Sequence, residues 1–225
     1  MSHRGLKKKF PENTLKSIEE AQNSGFEWVE LDLMTTKDSV VVCSHNFDLE
    51  SETNGQGYIY NRSYDEIKFL STGVRSHPTN IQRIPSFQEI VDNFSNNLKY
   101  NLEIKTKSIF DLGTVRALVR ILKKNKLRFF LISSFNPLVI LYLKIFCKNI
   151  KTAFLVEGYK FLWIINWIHP NYLNPRADMV NEDLISHSKK HNYGLIVWTV
   201  NSDMGLNFCI NKKVQSVITD RSLNI

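Results

Sequence analysis

Short β-rich runs that alternate with helical segments, acidic and basic residues near the C-terminal ends of those runs, and a length of 225 residues predict a (β/α)8 barrel. The main runs are 28–33, 100–104, 129–134, 151–156, about 165–169, 195–200 and 216–219. That is seven strands where a closed ring needs eight. The missing one is expected first, its body absent or reduced to Met1 and Ser2. Two strands are then expected to keep an unpaired edge, with little to hold His3, and an upstream segment is expected to carry the rest of the strand. One domain over 1–225 is expected.

Along the chain, apolar side chains at intervals of three and four mark a helix from about 13 to 24. Leu15, Ile18 and Ala21 form its inner stripe, Asn13 caps it and Gly25 stops it. The runs 28–33 and 40–45 are about six residues apart. A parallel crossover needs a dozen or more, so they form an antiparallel hairpin. Residues 46–84 are polar and rich in Asn, Ser, Thr and Gly, an insertion with one weak helical patch near 63–70. Ser86 and Glu89 form a capping box. Further helices are expected over 111–124, 137–147 (opened by Asn136 and Pro137), 181–192 (opened by Asn181) and 202–211.

The composition, 43% hydrophobic and 23% charged, is that of an ordinary globular protein. A formal charge of +7 favours anionic partners: phosphate compounds, nucleic acid or an acidic membrane face. Basic residues do not interleave with aromatics on one strand face, so no nucleic-acid partner is expected. Cys43, Cys147 and Cys209 are odd in number and widely spaced, which argues for reduced thiols and against a zinc site. The stretches 137–147 and 161–168 are too short to cross a bilayer. With no visible signal peptide, a cytoplasmic location is expected.

Residues i and i+2 of a strand share a face, so Glu30 and Asp32 point together, as do Glu103 and Lys105. Three carboxylates at a barrel mouth repel one another unless a cation joins them. Oxygen donors favour one Mg²⁺ or Ca²⁺ ion. His3 and His45 are the candidate proton carriers, and Arg4 is a fixed cation suited to a phosphate oxygen. The plain alternatives are salt-bridged acids and structural histidines; His77, His169, His187 and His191 belong there, with His169 an exception if it lies at a strand tip. Nucleotide-loop, serine-hydrolase and zincin motifs are absent.

"HRG" (3–5), "PENT" (11–14), "ELD" (30–32), "SH" (44–45), "TNG" (53–55), "IP" (84–85), "EIK" (103–105), "SSF" (133–135), "WTVN" (198–201) and "TD" (219–220) follow in that order. With them the chain resembles the glycerophosphodiester phosphodiesterase family over essentially its whole length. The resemblance implies a TIM barrel of the phospholipase-C-like phosphodiesterase type that hydrolyses glycerophosphodiesters to sn-glycerol 3-phosphate and an alcohol. It implies His3 and His45 as the general acid/base pair, with either in either part, and Glu30, Asp32 and Glu103 as metal carboxylates. Arg4 and Lys105 become phosphate-binding cations, Glu12 a supporting carboxylate, and Trp198 an aromatic wall beside the substrate.

Two positions depart from the family pattern. Asn46 stands where an Asp is common, which removes a charge that would orient His45 or help the metal. Ser51 followed by Glu52 stands where an Arg is usual before "TNG". Two other readings follow: a lysophospholipase D-like enzyme on single-chain lipids, with 161–172 as an aromatic lip and peripheral membrane contact, and a silent relative that only binds phosphodiesters.

Overall fold

A computed structural model describes residues 1–222; residues 223–225, the end of the expected 1–225 unit, lie outside the described residues. In chain order the elements are β1 (Ser2–His3), α1 (Leu15–Asn23), β2 (Trp28–Thr35), β3 (Val41–Cys43), α2 (Tyr64–Ile67), β4 (Ser71–Thr72), β5 (Gln82–Arg83) and α3 (Phe87–Phe94). They continue with β6 (Lys99–Ile104), α4 (Gly113–Asn125), β7 (Phe130–Ser134), α5 (Pro137–Phe146), β8 (Lys151–Val156), α6 (Ile165–Ile168), β9 (Tyr172–Pro175), α7 (Glu182–Lys190), β10 (Gly194–Val197), α8 (Asp203–Asn211) and β11 (Ser216–Val217).

Eight of these strands run parallel in the order β1-β2-β6-β7-β8-β9-β10-β11. The expected open edge does not exist. Two residues suffice for the first strand: Ser2 pairs with Val29 and His3 with Glu30, while Ser2 bridges Thr219 on the other side. The amide of His3 donates to Thr219 O at 2.9 Å and the amide of Thr219 donates to Met1 O at 3.0 Å, which closes the ring. A short strand closes a barrel when both neighbours satisfy its few backbone groups.

The strand expected at about 165–169 is a helix instead. Ile165 and Ile168, three apart, are buried while Trp163 and Trp167 are exposed, a helical repeat that a short β-branched run concealed. The barrel strand lies further on, at β9, and His169 follows α6 rather than ending a strand. The expected hairpin forms between β2 and β3. The capping box at Ser86 and Glu89 and the caps at Asn136 and Asn181 also form.

Alternation within β2 positions the chemistry. Val29, Leu31 and Leu33 pack with Ile18, Phe87 and Leu118 from the surrounding helices, so Glu30 and Asp32 face the barrel interior. A one-residue slip would turn the three apolar side chains inward and the two carboxylates into the helix layer. Losing three such burials at about 1.5–3 kcal/mol each pins the register.

The insertion carries a small core of its own: Leu49, Ile59, Ile67 and Ile84 close over Met34 and Val42 of the hairpin. It docks on the loop before α1. Gly73 sits at φ +82, where a Cβ would lie 2.1 Å from Pro11 Cγ, and His77 Nε2 hydrogen-bonds to Lys7 O at 2.9 Å.

Candidate active site

The C-terminal ends of β1, β2 and β6 bring the charged residues to one mouth. Asp32 pairs in register with Glu103. One carboxylate oxygen from each of Glu30, Asp32 and Glu103 lies within 4.8 Å of the others, and all three residues are buried. Lys105 Nζ sits 3.1 Å from Asp32 Oδ1 and 2.8 Å from Glu103 Oε1. Arg4 Nε lies 2.9 Å from Asp32 Oδ2, and its Nη1 donates to Glu12 Oε1 at 2.8 Å.

The "HRG" turn explains how Arg4 gets there. Arg4 has φ +57 and Gly5 φ +78. A non-glycine residue in that region costs on the order of 1–3 kcal/mol. Arg4 is held in it by its amide, which donates to Glu30 Oε2 at 3.1 Å, and by its carbonyl, which accepts from the Asn13 amide and the Ser17 hydroxyl. Gly5 has no substitute, because a Cβ there would lie 2.5 Å from Ser17 Oγ.

Burial, and then repulsion from Asp32 and Glu103, holds Glu30 well above the usual carboxylate range. Glu103 is raised for the same first reason, followed by repulsion from Asp32. Burial also opposes the charge of Asp32, but Lys105 and Arg4 outweigh it and bring the group down to about 2. The site thus holds one firmly ionised carboxylate beside two that resist ionisation. Glu30 Oε1 is buried with no hydrogen-bond partner.

The two histidines flank this cluster. His3 Nε2 is 4.0 Å from Glu30 Oε2, and its Nδ1 donates to Asp220 Oδ1 at 2.7 Å. Asp220 also accepts from Asn201 Nδ2 at 2.7 Å and lies 3.0 Å from Lys7 Nζ. Burial works against its charge, yet the hydrogen bond from His3 holds it below the ordinary carboxylate range. His3 is therefore anchored, against the expectation that little fixes it. His45 follows Ser44, whose amide donates to Asp32 O at 3.1 Å; its Nδ1 hydrogen-bonds to Asn46 Oδ1 at 3.0 Å. Burial lowers its basicity.

Trp198 stands just past β10, its Nε1 donating to Asn174 O at 2.8 Å and its ring edge-on to Phe135 at 5.7 Å. Glu12 pairs with Arg4 at 2.8 Å and lies 3.7 Å from Lys7 Nζ. A cavity of about 150 Å³ beside His45 and Asn46, between the 11–14 loop and the insertion, is lined by Glu12, Asn13, Glu52 and His77 among others.

Sequence reasoning missed two partners of the site. Asp220 is 217 positions from His3, and only ring closure joins them. Asn13 was expected to cap α1, a role that Thr14 fills. Its side chain instead clasps Asp32: Nδ2 donates to Oδ2 at 2.9 Å, and Oδ1 accepts from the Asp32 amide at 3.1 Å. Its φ of +59 is one that asparagine tolerates better than most residues. With a cation held at Asp32, as the resemblance implies, Asn13→Ala is expected to lower kcat/KM for phosphodiester hydrolysis by about 10–100-fold, the usual cost of freeing a carboxylate ligand. Steady-state kinetics across a metal titration checks this, with the loss largest at low metal.

The model of the glycerophosphoryl diester phosphodiesterase family matches residues 3–223. The chain belongs to that family. A glycerophosphodiester phosphodiesterase of Caldanaerobacter subterraneus subsp. tengcongensis is 28% identical over 230 residues, covering 98% of this chain and 93% of the relative. A phosphodiesterase of Oleispira antarctica, solved in complex with the product sn-glycerol-3-phosphate, superposes with a TM-score of 0.89 at 27% identity, over 97% of this chain and 91% of that one. A glycerophosphodiester phosphodiesterase structure from Thermotoga maritima shares the fold, with a TM-score of 0.77 at 24% identity over 99% and 94% of the two chains. The closed ring seen here is the TIM barrel of this family, and the chain is a hydrolase of the phosphodiesterase type.

Proposed function

We propose that this chain hydrolyses glycerophosphodiesters to sn-glycerol 3-phosphate and an alcohol, with one Mg²⁺ or Ca²⁺ ion held by Glu30, Asp32 and Glu103. The observation that carries the reading is the convergence of three buried carboxylates, two cations and two imidazoles on one barrel mouth. The donor set fits a hard divalent cation: every donor is a carboxylate oxygen, and the unpartnered Glu30 Oε1 is a ready ligand. Such an ion supplies positive charge to the non-bridging phosphate oxygens. Arg4 and Lys105 add to that charge from fixed positions.

The histidines divide the proton transfers by their partners. His45, its basicity lowered by burial, is neutral at pH 7. With Nδ1–H given to Asn46, its free Nε2 accepts the proton of the nucleophile, either water or the substrate's own glycerol hydroxyl. His3 delivers a proton from Nε2 to the departing oxygen, while Asp220 fixes its tautomer and stabilises the imidazolium. Glycerophosphocholine supplied with Mg²⁺ or Ca²⁺ should release sn-glycerol 3-phosphate and choline, followed by coupled oxidation of the glycerol phosphate. Absence of product with both ions rejects the reading in favour of a silent relative.

A single-chain lipid substrate is favoured by one further observation. An apolar cavity of about 330 Å³ opens at the tips of β7 and β8, lined by Ile109, Phe135, Pro137, Phe154 and Ile164 among others. Phe135 joins it to Trp198 at the mouth. An acyl chain placed there predicts faster turnover of lysophosphatidylcholine than of glycerophosphocholine.

A further inference from the structure

The charge of this chain is concentrated in one stretch. Residues 113–168 hold ten lysines and arginines and a single acid, Glu157, a balance of +9; the remaining residues together carry −2. This stretch forms the flank of the barrel built by α4, α5 and α6. Arg116 of α4 lies over the ring of Tyr142 on α5, 5.8 Å from its centroid, and α5 packs against α6. Arg116, Arg120, Lys123, Lys124, Lys148 and Lys151 are all exposed.

Between these cations the surface is apolar. Val139, Ile140 and Leu143 turn α5 to the core, yet its outward side is also apolar: Ile145 is 52% and Phe146 68% exposed, with Leu141 beside them. Trp163 and Trp167 extend the patch at 62% and 76% exposure. A helix apolar on both sides at a protein surface marks a contact not made within the chain.

We propose that the α4–α6 flank seats on the anionic surface of a phospholipid bilayer. Trp163, Trp167, Ile145 and Phe146 enter the boundary between headgroups and acyl chains, and the surrounding cations meet the lipid phosphates. Charge complementarity selects this occupant. A second copy of the chain in a two-fold contact would set +9 against +9. A nucleic-acid backbone would gain the rim cations but would have to cover an aliphatic and indole centre, where a bilayer gains burial. The surface is separate from the mouth carboxylates, so the proposal stands independently of the reaction.

Co-sedimentation of the full chain with phosphatidylcholine vesicles, with and without phosphatidylglycerol, tests it. Partition is expected to be at least about tenfold stronger on the anionic vesicles and to collapse at high salt, with a blue shift of tryptophan emission on binding. The pair Trp163→Ser with Trp167→Ser, and separately the reversal Arg120→Glu with Lys124→Glu, should each abolish the preference while hydrolysis of soluble substrate is retained. Equal partition onto both vesicles, no partition, or unchanged binding by both variants overturns the proposal. So does a dimer in light scattering that the tryptophan pair dissolves, or binding of single-stranded RNA in place of vesicles.

Discussion

Asp32→Asn is expected to lower kcat/KM for glycerophosphocholine by about 10²–10³-fold, the cost of removing one preorganised charge from such a site. Chelation of the unaltered protein should do the same, and added Mg²⁺ or Ca²⁺ should restore only the latter. Asp32 is the decisive position because it contacts Arg4, Lys105 and Asn13 at once. An asparagine there keeps the shape and loses the charge against which both cations are set. A variant with undiminished, chelator-sensitive turnover would refute the assignment of Asp32.

The same cluster gives a stability test with a defined sign. Glu30 and Glu103 have folded-state values raised above the ordinary 4.5. Without a cation they therefore cost stability as pH rises above that value, because the unfolded chain ionises them freely. Asp32, brought down to about 2, is ionised in both states above pH 5 and adds no slope there. A divalent ion offsets the cost only where the carboxylates ionise. At about 100 times its Kd it should add about 2.7 kcal/mol, or roughly 5–10 °C in Tm for a chain of this size. The gain should be larger at pH 8 than at pH 5.5 by scanning fluorimetry.

Removal of either imidazole is the second large effect: His3→Ala and His45→Ala should each lower kcat by about 10²–10⁴-fold. The two differ in their neighbours. Asp220→Asn is expected to follow His3→Ala, since an amide no longer enforces the Nδ1–H tautomer. Asn46→Asp acts on pH dependence instead. Burial lowers His45 from its ordinary 6.5, so the acid limb of kcat/KM should fall below that value. A carboxylate at position 46 favours the imidazolium and should move the limb to higher pH. A profile unchanged in Asn46→Asp would remove His45 from the role of base.

How much of this was legible depended on the range of the interaction concerned. Glu30 with Asp32, and Glu103 with Lys105, were readable because two-residue spacing puts side chains on one strand face whatever the rest of the fold does. The capping box at Ser86 and Glu89 and the 28–45 hairpin were readable for the same local reason. The misread helix at Ile165–Ile168 failed because four residues, three of them apolar, are too few to tell one period from the other. Asn13 failed because a cap and a clasp on Asp32 require the same residue type at nearly the same place.

The chain by itself determined the repeating βα order, the inward acids of β2 and β6, and a strongly basic stretch after residue 112, since these rest on periodicity and composition. Only the tertiary structure decided that Ser2 and His3 are paired on both sides, that Asp220 holds His3, and that the cations of α4 lie beside an apolar face on α5 and α6. Ring closure brings together groups more than two hundred positions apart, and no local pattern encodes a distance set by eight strands pairing in a circle.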